Sequence, residues 1–250
     1  MSRYFLELSY SGTLYHGWQI QQNAISVQEK LNSALSILLQ EELDTVGAGR
    51  TDTGVHAKQL YVHFDSNASI LSNKERFVHS LNALLPHDIA IKRLISVHAD
   101  AHARFDAVKR SYEYRVHFWK DPFLRNFSWQ LKDRPSIELM NQAAALLIGR
   151  QDFSCFSKSH TQVFTNICQI EHAEWIAENG SLIFKISADR FLRNMVRAIV
   201  GTLLEIGFSR QPPRYIQEVI ASKNRSKAGT SVPACGLYLT EVVYPYIAHN

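Results

Sequence analysis

Apolar and polar residues alternate from Tyr4 to Tyr10, with Tyr4, Leu6, Leu8 and Tyr10 facing one way and Glu7 and Ser9 the other, which predicts a strand. The pattern then lengthens to a helical period. Ser26-Val-Gln-Glu29 reads as a capping box, in which the serine oxygen and the glutamate carboxylate satisfy the first unpaired amides of a helix. Behind it Val27, Leu31, Ala34, Leu35 and Leu38 fall on one face. A short strand is predicted at Asp44–Val46 and another from Gln59 to Phe64. A second capping box, Ser72-Asn-Lys-Glu75, opens a helix carrying Phe77, Leu81 and Leu84, and Ile89 to Val97 reads as a strand. The order β-α-β-β-α-β is the split arrangement of ferredoxin-like folds.

The same order recurs with little sequence likeness. Ser111 to Phe118 alternates, and Ser136 opens a helix with Ile137, Met140, Ala144 and Leu147 inward. Strands at Ile167–Ala177 and Leu182–Ala188 flank Glu178-Asn179-Gly180, a good hairpin turn. A helix is predicted from Phe191 to Ile206, a shorter one after Pro212-Pro213, and a last strand over Leu237–Val243. The expected fold class is α+β, with two ferredoxin-like halves, residues 1–103 and 104–250, whose mostly antiparallel sheets flank a central cleft.

Composition narrows the class only a little. The chain has 250 residues, 46% of them hydrophobic, enough for two cores without disulfides. Cys155, Cys168 and Cys235 are an odd number with no CxxC spacing, so reduced thiols in a cytoplasmic protein are expected. No run approaches the ~18 apolar residues of a membrane span, and the N-terminus does not read as a signal peptide. Net charge is only +4, but Lys185 to Lys227 holds nine basic residues against three acidic ones. That excess suits a polyanion-binding face as well as it suits a solvated helical surface.

The candidate chemistry lies in GAGRTDTGVHAK, residues 47–58. A phosphate-binding P-loop would need Lys-Ser/Thr where Val55-His56 stands, and a dinucleotide loop would need glycine where Asp52 stands. A carboxylate at that place repels pyrophosphate. Asp52-Thr-Gly54 matches the aspartic peptidase signature, but such a site shares one proton between two carboxylates and no second copy occurs. Arg50, two residues away, also favours full ionisation, so only a dimeric peptidase would fit. Two readings stay open from the stretch alone: a lone nucleophilic aspartate on a loop that lets a bulky ligand approach, or a turn aspartate capping nearby amides. His98 and His102 lie four apart but not on an amphipathic helix, so no metal site is expected.

Motifs along the whole chain decide between them. Gly49-Arg-Thr-Asp-Thr-Gly-Val-His-Ala57 resembles the nucleophile loop of the tRNA pseudouridine synthase A family. Tyr10-Ser-Gly-Thr13 and His16-Gly-Trp-Gln19 resemble its opening motif, and Ser26-Val-Gln-Glu29 its first helix. Ala103-Arg-Phe-Asp-Ala107 with Arg110-Ser-Tyr-Glu-Tyr114 resembles its central motif, and Asp152-Phe153 with Phe156 its Asp-Phe-x-x-Phe element. Phe191-Leu-Arg-Asn-Met-Val-Arg197 with Gly201-Thr-Leu203 resembles its late helix, and Pro233-Ala-Cys-Gly-Leu-Tyr-Leu239 its C-terminal strand. The chain departs from the family at Ser11, where aspartate is usual, at Lys58-Gln59 after the His-Ala, and at Arg190, where glycine is usual.

The resemblance implies the pseudouridine synthase fold and an isomerase that converts uridine to pseudouridine at positions 38–40 of the tRNA anticodon arm, without cofactor or metal. It implies Asp52 as nucleophile, Arg197 as its ion-pair partner, and Tyr112 as a ring stacked on the target base and a candidate general base. Leu237 is expected on the other side of that base. Arg50, Arg104, Arg110, Arg190 and Arg193 are expected RNA contacts, with Arg190, Arg193 and Arg197 on one helical face. A homodimer holding tRNA is also implied. The rival readings are a non-catalytic RNA-binding module of the same fold and, remotely, the dimeric peptidase.

Overall fold

The protein is described by a computed structural model over residues 1–158 and 165–248. In chain order its elements are β1 (Ser2–Tyr10), α1 (Val27–Leu39), β2 (Val46–Gly47), β3 (His56–Ser66), α2 (Lys74–Leu84), β4 (Ile89–Ser96), β5 (Lys109–His117), β6 (Trp129–Gln130), α3 (Ile137–Ala145), β7 (Gly149–Asp152), β8 (Ile167–Glu178), β9 (Ser181–Ala188), α4 (Met195–Gly207), α5 (Tyr215–Ser222) and β10 (Leu237–Val243). The architecture is α+β with mostly antiparallel strand pairing, as expected. Two compact units form, one from Met1–Val108 and the chain from Tyr238 onward, the other from Lys109–Leu237.

In the first unit the strands run β4-β1-β3-β10, with β2 on β3. β1 pairs antiparallel with both neighbours, and β10 lies parallel to β3 through Tyr238 opposite His56 and Leu239 opposite Ala57. The expected one-sided alternation of β1 is not found, because Phe5 and Glu7 are buried as well as Leu6 and Leu8. Phe5 meets Tyr61, His63, Tyr244 and Tyr246 on that second face. Glu7 is accommodated there by donors from Gln59, Tyr61 and Arg93.

The first capping box is present, with Ser26 Oγ accepting the Glu29 N–H and the Glu29 carboxylate accepting the Ser26 N–H. Leu39 rather than Leu38 closes the buried stripe of α1. The second box is not present. Ser72 ends a 3₁₀ turn, so Asn73 caps α2 instead, taking the Arg76 N–H at 3.1 Å, and Leu84 is exposed while Leu85 is buried.

In the second unit the antiparallel order is β5-β9-β8-β7, with β6 parallel to β5. Asn179 and Gly180 both have positive φ, at 49° and 79°, which gives a two-residue turn whose twist matches the β8–β9 hairpin. Each unit ties a helix to a strand with one asparagine amide. Asn82 on α2 bonds both the N–H and the C=O of Ile91, and Asn141 on α3 does the same to Trp175.

The largest correction concerns α4, which starts at Met195 and not at Phe191. Asn194 is left-handed at φ 67° and stops the helix from extending back. Arg190 and Arg193 therefore precede the helix and do not share a helical face with Arg197. From Met195 onward α4 is buried nearly all round except at Arg197 and Glu205, which its largely apolar sequence (MVRAIVGTLLEIG) accounts for.

Candidate active site

The Asp52 loop runs from β2 to β3 and is braced on both sides of the aspartate by the opening segment of the chain. Before Asp52, the Thr51 carbonyl accepts the Trp18 N–H at 3.3 Å, and Thr51 Oγ1 lies 2.8 Å from the Tyr10 hydroxyl. After it, the Gly54 N–H donates to the Tyr15 carbonyl at 3.2 Å, and the Val55 N–H closes a turn onto the Asp52 carbonyl at 3.1 Å. The chains approach so closely that side chains are excluded. A Cβ on Gly17, whose φ is +93°, would lie 2.4 Å from the Thr51 carbonyl oxygen. One on Gly12 would lie 2.0 Å from that of Val55. Trp18, 2% exposed, stacks beside Tyr10 and covers Gly47 at the start of the loop.

His56 leaves the loop into β3. Its Nδ1 accepts the Gly12 N–H at 3.1 Å and its ring stacks on Tyr238 with centroids 4.7 Å apart. Asp52 itself is half-buried and Arg50 is exposed. The half-buried carboxylate therefore stands on a backbone fixed at Thr51, Gly54 and Val55. Sequence reasoning noted the His16-Gly-Trp motif without its physical task, which is to hold this loop.

In the second unit, Arg197 stands in the first turn of α4, half-buried. Its Nε donates to the Val232 carbonyl at 2.7 Å, while its own carbonyl accepts the Val232 N–H at 3.3 Å. Tyr112, on β5, is half-buried with its ring edge-on to Phe191 at 5.1 Å. Tyr114, two residues on, is fully buried and donates its hydroxyl to the Pro233 carbonyl at 2.8 Å. Burial pushes its pKa far above the usual phenol value, so it is a neutral structural tyrosine. Leu237, 6% exposed, opens β10 immediately after Gly236, where a Cβ would strike the Arg115 carbonyl and the Tyr114 ring.

The expected RNA contacts scatter in role. Arg104 is exposed over the Phe105 ring, and Arg193 is exposed ahead of α4. Arg110 donates to the Asp189 carbonyl at 2.9 Å, where the Asp189 carboxylate also accepts the Gln169 and Arg190 amides. Two cations of the basic stretch have partners within the protein. Lys223 pairs with Asp152 at 3.3 Å, and the Arg225 guanidinium is committed to backbone and Ser231 oxygens.

Among the described residues no cluster of three or more His, Cys, Asp or Glu could hold a metal ion. His102 turns Nδ1 to the Arg104 and Phe105 amides, and His98 packs against Tyr246. The three cysteines form no disulfide. Among the described residues no helix is long and apolar enough to cross a membrane.

The loop thus offers a single half-buried carboxylate on a backbone braced from both sides. Comparison with known proteins gives the family. The family model described as tRNA pseudouridine synthase matches residues 143–245. The chain is 48% identical over 246 residues to the tRNA pseudouridine synthase A of Bacteroides fragilis, covering 98% of this chain and 97% of the relative. It is 47% identical to that of Porphyromonas gingivalis, covering 98% of each, and 49% identical to that of Parabacteroides distasonis, covering 98% and 97%. The chain belongs to the tRNA pseudouridine synthase A family.

Proposed function

We propose that this chain is a tRNA pseudouridine synthase, an isomerase that acts on uridines 38–40 of the anticodon arm with Asp52 as nucleophile. The observation that carries the reading is family membership at 47–49% identity over nearly the whole chain, joined to the braced presentation of Asp52. Residues 1–103 and 104–250 are read as the two ferredoxin-like halves of the pseudouridine synthase fold, the first carrying Asp52 and the second Tyr112 and Arg197.

The reaction breaks the bond from uracil N1 to ribose C1′, turns the base, joins C5 to C1′, and moves the C5 proton away while N1 gains one. Nothing is oxidised or reduced. Asp52 supplies an anionic oxygen that bonds either to C1′, displacing uracil through N1, or to the uracil ring, and that bond is released once C5 is joined to C1′. Arg197, whose Nε is bonded to the Val232 carbonyl, is read from the family resemblance as the ion-pair partner of Asp52. Tyr112 stacks on the base and stands as candidate acceptor of the C5 proton. Leu237 excludes water from the adduct. A paired target base must leave its stack, at a cost of a few kcal/mol, and phosphate contacts from Arg50, Arg104, Arg110, Arg190 and Arg193 offset that cost. The homodimer implied by the family would let two copies hold one tRNA.

The test incubates the protein with unmodified tRNA and maps pseudouridine by a base-specific chemical adduct. Signal is expected in the anticodon arm without added cofactor, and none with Asp52→Ala. Signal surviving that substitution removes Asp52 from the nucleophile role. Arg197→Ala is expected to lose most of the rate while keeping tRNA affinity. A collapse of affinity in proportion to rate makes Arg197 an RNA anchor instead.

A further inference from the structure

Between α5 and β10 the chain crosses α4 as a strap, residues 228–236, and its course is set by side chains from four places in the second unit. The contact is backbone on backbone. A Cβ on Gly201 of α4 would lie 1.9 Å from the Thr230 carbonyl oxygen, and one on Gly229 would lie 2.7 Å from Gly201. The Gly229 N–H donates to Thr202 Oγ1 at 2.8 Å, and the Tyr114 hydroxyl holds the Pro233 carbonyl.

Arg225 lies at the head of this strap. Its Nη1 donates to the carbonyls of Ala228 at 3.2 Å and Gly229 at 3.1 Å, and its Nη2 to Ser231 Oγ at 2.9 Å. Ser231 Oγ also accepts Asn194 Nδ2 at 2.6 Å, from the left-handed residue that precedes α4. The next residue is Val232, whose carbonyl takes the Arg197 Nε.

We propose that Arg225 is a positioning residue for the isomerisation: through Ser231 and the strap it places the Val232 carbonyl that fixes the Arg197 guanidinium. This rests on the reading of Arg197 as the partner of Asp52. A guanidinium suits the task because its planar fork reaches three oxygens at fixed angles, which an ammonium on a flexible stem does not reproduce. Arg225 thus acts on the reaction from within the protein, although its charge and its place in a basic stretch read equally as a phosphate contact.

Arg225→Lys separates the two roles, since it keeps the charge and loses the fork. Single-turnover rate, tRNA Kd and the slope of log Kd against log salt are measured for the wild type, Arg225→Lys and Arg225→Ala. Both variants are expected to lose about tenfold or more in rate, with Kd and salt slope unchanged. A weaker Kd and a shallower slope in Arg225→Ala, restored by Arg225→Lys, would make Arg225 a phosphate contact and overturn the proposal. A wild-type rate in Arg225→Lys overturns it as well.

The second arm repeats Arg225→Lys in an Arg197→Lys background, which keeps a cation but has no Nε for Val232. Little further loss is expected there, whereas an equal further loss shows that Arg225 does not act through Arg197. Ser231→Ala, which removes one oxygen from the strap, is expected to lower rate without affecting Kd, and serves where the arginine variants fold poorly. If Asp52→Asn is inactive while Arg225→Lys and Ser231→Ala are normal, only this inference fails. An active Asp52→Asn sinks the underlying nucleophile reading.

Discussion

Gly17→Ala tests whether the opening segment exists to hold the Asp52 loop. Two costs follow from the geometry. The residue has φ +93°, and an L side chain held at positive φ costs roughly 1–2 kcal/mol. The new Cβ would also lie 2.4 Å from the Thr51 carbonyl oxygen and 3.2 Å from the Asp52 carbonyl carbon. The first distance is roughly 1 Å short of ordinary contact, so the loop must give way by about that much. Because the Thr51 carbonyl is the acceptor for the Trp18 N–H, the shift also weakens the bond that brackets Asp52 from the N-terminal side. A displacement of about 1 Å at a reacting group costs on the order of a hundredfold in rate. The assay is single-turnover pseudouridine formation beside tRNA binding by filter retention and urea unfolding. The expected result is a hundredfold lower rate, a Kd within a factor of two or so, and a stability loss of about 2 kcal/mol. A wild-type rate at any stability refutes the brace. So does an equal fall in rate and affinity, since that would place Gly17 in RNA binding.

Two further predictions concern buried titratable groups. His63 on β3 is 6% exposed, with Nδ1 accepting the Ala103 N–H at 3.1 Å. Burial lowers its pKa from 6.5 to about 4, with His102 and Arg3 adding to the effect. The unfolded chain therefore binds a proton that the folded one refuses, and stability falls as pH drops from about 6.5 towards 4. The worked loss is about 2 kcal/mol by pH 5, approaching about 3 kcal/mol below pH 4. Urea unfolding at pH 7 and pH 5 should show that loss in the wild type and less of it in His63→Asn; equal losses in both would exclude His63 as the cause. For Glu7, burial alone would raise the pKa, but hydrogen bonds from Gln59, Arg93 and Tyr61 hold it below the usual value. Arg93→Ala should therefore cost about 3 kcal/mol, the low end for a stranded buried carboxylate because Arg93 is partly exposed. Adding Glu7→Gln should recover part of it in urea unfolding, and no recovery would mean that the loss comes from packing.

What was legible in the sequence follows the range of the interactions involved. The capping box at Ser26 and the Asn179-Gly180 turn are local, and both stand where the pattern put them. The short strands β6 and β7 carry too few residues for a period and were not anticipated. The start of α4 was misplaced because helical apolar spacing continues back to Phe191, whereas the backbone turns left-handed at Asn194, whose amide bonds Ser231, 37 residues on. The one-sided reading of β1 failed at Glu7, since a carboxylate reads as solvent-facing unless its partners are known. Those partners lie on β3 and β4, 52 to 86 residues away.

The same distinction separates the groups proposed to react from the groups that aim them. Asp52 could be singled out because its loop is contiguous and its motif specific. Its braces come from Tyr10, Tyr15 and Trp18, more than thirty residues upstream, where only a fold can join them. Arg197 follows the same logic in the second unit. Its charge is visible in the chain, but the carbonyl that orients it belongs to Val232, held through Ser231 by Arg225. A basic residue in a sequence can meet solvent, phosphate, a carboxylate or the protein's own backbone. Counting charges between Lys185 and Lys227 could not separate them. Geometry does so for Arg225, because three fixed acceptors around one guanidinium define a structural clamp. On the proposed reading the electrostatics are built in two layers: arginines read as meeting substrate or nucleophile, and arginines such as Arg225 that bond the backbone to which the first are tied.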